Sequence, residues 1–179
     1  SPNEKLRQNR FPLDYHPPAE IQRFRELYYS AITLVDKNMA KVLSALEEIN
    51  QLDNTLIIMS SDHGEMLGDN GAFSKALPND PAMRVPLILR YPRSFAAGTI
   101  RTDFASLIDI LPTVLDACGI ETPRDCALPG ESLLIPEGSG LKDRSVNYVE
   151  NERGARRFIS LRSHRYKINY LFADGREEF

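Results

Sequence analysis

Asp53-Asn54-Thr55-Leu56-Ile57-Ile58-Met59-Ser60-Ser61-Asp62-His63-Gly64-Glu65 sets the architecture. Asp53-Asn54 breaks the pattern that precedes it, and Thr55 to Met59 is a short continuous apolar run. Such a run behind a helix predicts a buried strand of a parallel sheet. Ser60 to Glu65 then falls at the C-terminal end of that strand, the edge where open α/β sheets bind ligands. Asp62 and His63 offer carboxylate oxygens and an imidazole nitrogen there, a donor pair suited to a divalent cation. Neighbours in a regular strand point to opposite faces. Both side chains reach one ion only if the strand ends and the chain bends, and Gly64 makes such a bend cheap. The same residues also fit a plain strand-to-loop turn, with Asp62 capping backbone amides and His63 hydrogen-bonded at the surface. A cation such as Ca²⁺ takes six or more donors. Glu65, Asp69 and Asn70 are near in sequence but do not complete such a set, so other ligands must come from elsewhere.

Upstream, apolar residues recur at Ile21, Phe24, Leu27, Tyr28, Ala31, Leu34, Val35, Met39, Val42, Leu46 and Ile49, mostly in steps of three and four. That spacing predicts one buried helical stripe on a helix of roughly 30 residues, ~45 Å long, opened by Pro18. A coiled-coil face is the other reading of the stripe. Downstream, residues 66–83 are expected to form a long loop, the kind that is functional when it occurs in a compact domain. Val85 to Tyr91 is a second strand closed by Pro92. Ser106 to Cys118 is a helix in which Pro112 must sit in an early turn or kink the axis, and Gly119 supplies the stop. After a Pro- and Gly-rich loop over 120–143, residues 145–150 and 157–170 alternate in polarity, as in an antiparallel hairpin or small sheet. The expected division is an irregular arm over 1–17, an α/β part over 18–143 and a small antiparallel sheet over 144–179.

The chain has 179 residues, 42% hydrophobic and 26% charged, with a net charge of −3. These values exclude a disordered or collagen-like chain and give no global pull toward nucleic acid or an anionic membrane. No apolar run is long enough to span a bilayer, so neither nucleic acid nor membrane is expected as a partner. Cys118 and Cys126 are too few for a disulfide framework, and the sequence leaves their pairing open. His16, His63 and His164 are the three histidines. Gly-x-Ser-x-Gly, Walker A and Gly-x-Gly-x-x-Gly motifs are absent.

Two further features could carry chemistry. Lys75, in the loop after Asp62-His63, could hold an anionic oxygen as a point charge, or be an ordinary exposed loop lysine. The run Arg153, Arg156, Arg157, Arg162, Arg165 and Lys167, interleaved with Phe158, Tyr166 and Tyr170, could bind a polyanion. It could equally be the solvated face of a small sheet, with aromatics inward.

The ordered segments resemble the C-terminal half of a sulfatase, of the alkaline phosphatase superfamily. Tyr28-Tyr29-Ser30-Ala31-Ile32 with Val35-Asp36 is similar to that family's long helix, and Asp53 to Asp69 to its metal-site strand and loop. Arg84-Val85-Pro86-Leu87-Ile88-Leu89-Arg90-Tyr91-Pro92 and Ser106 to Thr113 are similar to its next strand and helix, and Arg162 to Tyr170 to its small C-terminal sheet. The resemblance implies a fold of the α/β class: part of an alkaline-phosphatase-like sheet flanked by helices, plus a small antiparallel sheet. It makes Asp62 and His63 ligands of a divalent cation, Ca²⁺ in most sulfatases, with Mg²⁺ or Mn²⁺ as other options. It places Lys75 on the sulfate, although Ser74 and Ala76-Leu77-Pro78 depart from the family's glycine-rich surroundings and Asn70 replaces a frequent histidine.

The implied reaction is sulfate ester hydrolysis on a small molecule or a glycan. Its nucleophile would be a formylglycine made from a Cys/Ser-x-Pro/Ala-x-Arg motif, and these 179 residues contain no such motif. With no initial methionine either, the chain is read as a fragment whose N-terminal half holds the formylglycine and is its partner, and as inactive alone. A phosphonate or phosphate monoester hydrolase of the same superfamily is one alternative, and a non-catalytic module for sulfated polyanions is another. The sequence leaves the compartment open; the family points to the periplasm or to secretion.

Overall fold

The computed structural model describes residues 16–75, 77–122, 125–134, 144–152, 154, 157–173 and 175–178. The expected arm therefore lies outside the described residues up to residue 15, as do Arg153 and Arg156 of the basic run.

The first element is α1, Pro18–Glu48, with Pro18 in its first turn. It ends where Asn50 turns into the left-handed region at φ 56°. Asn50 N–H donates to the Glu47 carbonyl at 2.9 Å and Gln51 N–H to that of Leu46 at 2.8 Å, a Schellman closure built on asparagine. The expected burial of its apolar stripe is not met in this chain. No residue of α1 is buried, and Leu34 and Val42 are 61% and 62% exposed. The reason is simple: the described residues supply nothing to cover the middle of a 31-residue helix. Its first turns do find partners, with Phe24, Phe73 and His16 packing edge to face at 5.3–5.5 Å.

The strand β1, Ile57–Ser60, pairs with β2, Leu87–Arg90. The pairing is antiparallel, with Ile57 opposite Arg90 and Ser60 opposite Leu87. A buried strand of a parallel sheet was expected of β1; among the described residues its partner is antiparallel, and β1 is half-buried rather than buried. The intervening segment closes on itself instead of crossing over. Gly64 N–H donates to the Ala82 carbonyl at 2.9 Å and Ser60 Oγ to that of Pro86 at 2.8 Å, so the chain returns beside the strand it left. Inside the expected loop lies a short helix, α2, Asp80–Met83. Beneath the loop sits a small core of Met66, Ala72 and Ala82, with Leu77 packed against it.

A 3₁₀ turn over Leu107–Asp109 leads into α3, Ile110–Ala117. Ser106 and Asp109 form a reciprocal capping box. Pro112 falls in the first turn of α3, and Gly119 at φ 65° ends it. Cys118 and Cys126 are free, exposed thiols. The C-terminal part is a four-stranded antiparallel meander of β3, Val146–Asn151, β4, Phe158–Ser163, β5, Lys167–Leu171, and β6, Arg176–Glu178. The segment 157–170 is thus two strands and a turn, and β6 was not foreseen. Phe104 stacks on His164 at 4.4 Å and Asn147 donates to the Ala105 carbonyl at 3.1 Å, tying the segment before α3 to this sheet.

Candidate active site

β1 ends at Ser60, and the chain bends at once, so Asp62 and His63 do not diverge as strand neighbours would. Asp62 Oδ2 and His63 Nε2 lie 3.4 Å apart. The imidazole is oriented from behind: Nδ1 sits 2.8 Å from the Gly64 carbonyl. A carbonyl only accepts, so Nδ1 carries the proton, and in the neutral ring Nε2 presents its lone pair beside the Asp62 carboxylate. Asp62 Oδ1 meanwhile accepts from the His63 amide at 3.0 Å, and Ser61 Oγ donates to the His63 carbonyl at 2.8 Å.

Gly64 has a different task from the one the sequence suggested. It is absent from the positive-φ residues, so flexibility is not why it is needed. A Cβ there would lie 1.9 Å from the Pro81 carbonyl oxygen. Only a hydrogen fits between the bend and α2.

Lys75 reaches the pair from the middle of the loop, its Nζ against His63 Nε2. Ser74, just before it, is held at φ 70°. Its amide donates to Glu65 Oε1 and its carbonyl accepts from Met66 N–H at 3.1 Å. Such an unfavourable backbone persists only where its surroundings fix it. The structure thus brings together Asp62, His63 and Lys75.

The nearby acids are otherwise engaged. Glu65 Oε1 holds the Ser74 and Leu67 amides, and Asp69 accepts from Arg25 Nη2 at 2.9 Å. Arg25, whose Nε also donates to the Leu67 carbonyl at 2.9 Å, is a contributor that sequence reading missed. It sits on a helix, and nothing local signals its reach of more than forty residues.

The donor pair fits a hard cation in part. Adjacent ligands on an ion with bonds of about 2.0–2.4 Å lie roughly 3 Å apart, close to the 3.4 Å seen here. Among the described residues no group of three or more His, Cys, Asp or Glu converges. The basic run is broken up by pairing. Arg162 and Lys167 both contact Asp80, and Arg157 lies over the Phe172 ring at 4.2 Å.

A family model described as Sulfatase matches residues 3–120, and one described as N-sulphoglucosamine sulphohydrolase, C-terminal, matches residues 68–178. An N-acetylglucosamine-6-O-sulfatase of Bacteroides thetaiotaomicron is 33% identical over 164 residues, covering 87% of this chain and 29% of the relative. The chain thus spans less than a third of that relative's length. A solved protein in complex with its substrate D-glucosamine-2-N,6-O-disulfate superposes with TM-score 0.80 at 31% identity, over 89% of this chain and 34% of the other. A phosphonate monoester hydrolase of Silicibacter pomeroyi superposes at 0.78 with 29% identity, over 93% and 39%. With a family model matched over more than half of its residues, the chain belongs to the sulfatase family.

Proposed function

We propose that this chain carries part of the site of a sulfuric ester hydrolase acting on a small-molecule or glycan sulfate. The observation that supports it best is the convergence of Asp62, His63 and Lys75 at the end of β1. Asp62 and His63 would be two ligands of a divalent cation, Ca²⁺ first among the candidates, with Mg²⁺ and Mn²⁺ behind. When bound, that ion draws negative charge from a substrate oxygen. The Gly64 carbonyl holds Nδ1 of the His63 ring, so Nε2, which has Lys75 Nζ against it here, would be the atom offered to the ion once Lys75 turns to the sulfate. Lys75 would give its charge to a sulfate oxygen, where a fixed cation favours the charge that builds up. The nucleophile would come from a formylglycine outside these residues, since they hold no Cys/Ser-x-Pro/Ala-x-Arg motif. A sulfated amino sugar is the substrate in one solved relative, which supports a glycan sulfate here.

The likeness to a phosphonate monoester hydrolase favours a second reading, phosphonate ester hydrolysis. One experiment separates them: turnover of an aryl sulfate and an aryl phosphonate by this chain joined behind the N-terminal part of the Bacteroides relative. The sulfate should be the faster substrate, and His63→Ala should lower kcat/KM about 10²–10³-fold. Preference for the phosphonate selects the second reading. Equal turnover by parent and His63→Ala overturns both. The 179-residue chain alone should turn over neither.

A further inference from the structure

Arg162 of β4 and Lys167 of β5 are direct cross-strand partners. Like charges placed so repel each other, and the pair makes sense only around an anion. That anion is Asp80. Arg162 Nη1 is 2.6 Å from both of its carboxylate oxygens, and Lys167 Nζ is 3.0 Å from Oδ1. Arg84 stands further off at 3.9 Å. Burial pushes the Asp80 carboxyl up, but the hydrogen bonds from Lys167 and Arg162 outweigh it and hold it below its ordinary value.

Asp80 is the first residue of α2, and the rest of α2 faces the candidate site. The Pro81 carbonyl lies where a Gly64 Cβ would be. The Ala82 carbonyl accepts the Gly64 N–H at 2.9 Å, while the Ala82 methyl is buried against Met66 and Ala72. Gly64 is in turn the residue whose carbonyl orients His63. One turn of helix therefore connects the C-terminal sheet to the donor pair, with the sheet on one side and the bend on the other.

We infer that Asp80 is a positioning residue: clamped by Arg162 and Lys167, 82 and 87 residues further along the chain, it locks α2 against Gly64 and so fixes the Asp62–His63 pair from the C-terminal sheet. Its catalytic meaning rests on the sulfatase reading above, but its test does not need turnover. In the full chain, nuclear magnetic resonance reads Gly64 amide exchange and the ¹⁵N pattern of the His63 ring. The parent should show a protected Gly64 amide and one tautomer, protonated on Nδ1. In Asp80→Asn and in Arg162→Ala, Gly64 should exchange about two- to fivefold faster, the range for losing a partly exposed charged contact. The His63 pattern should become a mixture, while the amides of β3 to β6 keep their protection. Asp80→Arg combined with Arg162→Asp should return both signals toward the parent. Unchanged Gly64 and His63 signals in the single variants, or no recovery in the double one, overturn the inference. If Asp80→Asn does not fold, Lys167→Met leaves Arg162 in place and should still speed Gly64 exchange about twofold; no change there overturns it too. Gly64 and His63 signals that respond in a chain whose joined form lacks sulfate turnover would keep the clamp and remove the sulfatase reading.

Discussion

Gly64 shows how much one hydrogen can matter. Its φ is ordinary, so alanine would suffer no backbone strain, only collision with the Pro81 carbonyl. Gly98 is the reverse case, at φ 73° with nothing within 4 Å of a built Cβ. Gly64→Ala should cost about 1–3 kcal/mol through overpacking, read as a lower denaturant midpoint, together with loss of Gly64 amide protection. Gly98→Ala should cost about 1 kcal/mol from its backbone alone and leave that amide protected. If the two variants behave alike, the steric account of Gly64 is wrong. That Asp62 and His63 fall together just past a strand end was legible in the sequence, because an apolar run that stops advertises one; the place of Lys75 came from the resemblance alone. The role of Gly64 was not legible, because its neighbour, Pro81, comes from a helix too short to leave a periodic signal.

The connection between α3 and the C-terminal sheet depends on a buried ion pair. Asp109 is fully buried. Its carboxylate takes Arg144 at 2.5 and 2.8 Å, the Ser106 amide at 2.7 Å and the Glu131 amide at 2.9 Å. Burial pushes this carboxyl up, and the bonds from Arg144, Glu131 and Ser106 outweigh it, leaving the group below its ordinary 3.8. Such a group stabilises the fold fully above its unfolded value, and that contribution fades as pH falls through the lowered folded one. Asp109→Ala should therefore cost about 3–5 kcal/mol at neutral pH by stranding the Arg144 charge. It should also flatten the loss of stability below about pH 4. Thermal melts of both proteins from pH 2 to 7 check this; parallel curves would refute it. The early-turn place of Pro112 and the stop at Gly119 could be read locally, residue by residue. The partner of Asp109 could not, since Arg144 lies 35 positions away. The same holds for β1 and β2. An apolar run announces a strand but not its direction, and a hydrogen bond between Gly64 and Ala82 decides that.

Taken whole, the chain buries few large apolar side chains. Met66, Leu133, Phe158 and Leu171 are the larger ones among the described residues, while Tyr29, Leu34, Val35 and Val42 on α1 are all more than half exposed. Apolar stripes of this kind attract other apolar surface. The chain should bind a hydrophobic dye and associate with itself as concentration rises. Leu34→Lys with Val42→Lys should reduce both, seen by fluorescence and by sedimentation; no reduction would mean that the stripe is covered in solution. The helix itself was plain from its 3.6-residue period, but a period reveals which face is apolar and not whether anything lies upon it. The C-terminal sheet has a kinetic corollary. Each of its strands pairs only with its neighbour in sequence, so its contacts are local and such a meander closes quickly. Asp80, by contrast, waits for Arg162 and Lys167. On a ribosome, where the N-terminal end emerges first, the donor pair would be synthesised before the strands that secure it. A chain cut short before β4 would carry Asp62 and His63 without the tie that holds their loop in place.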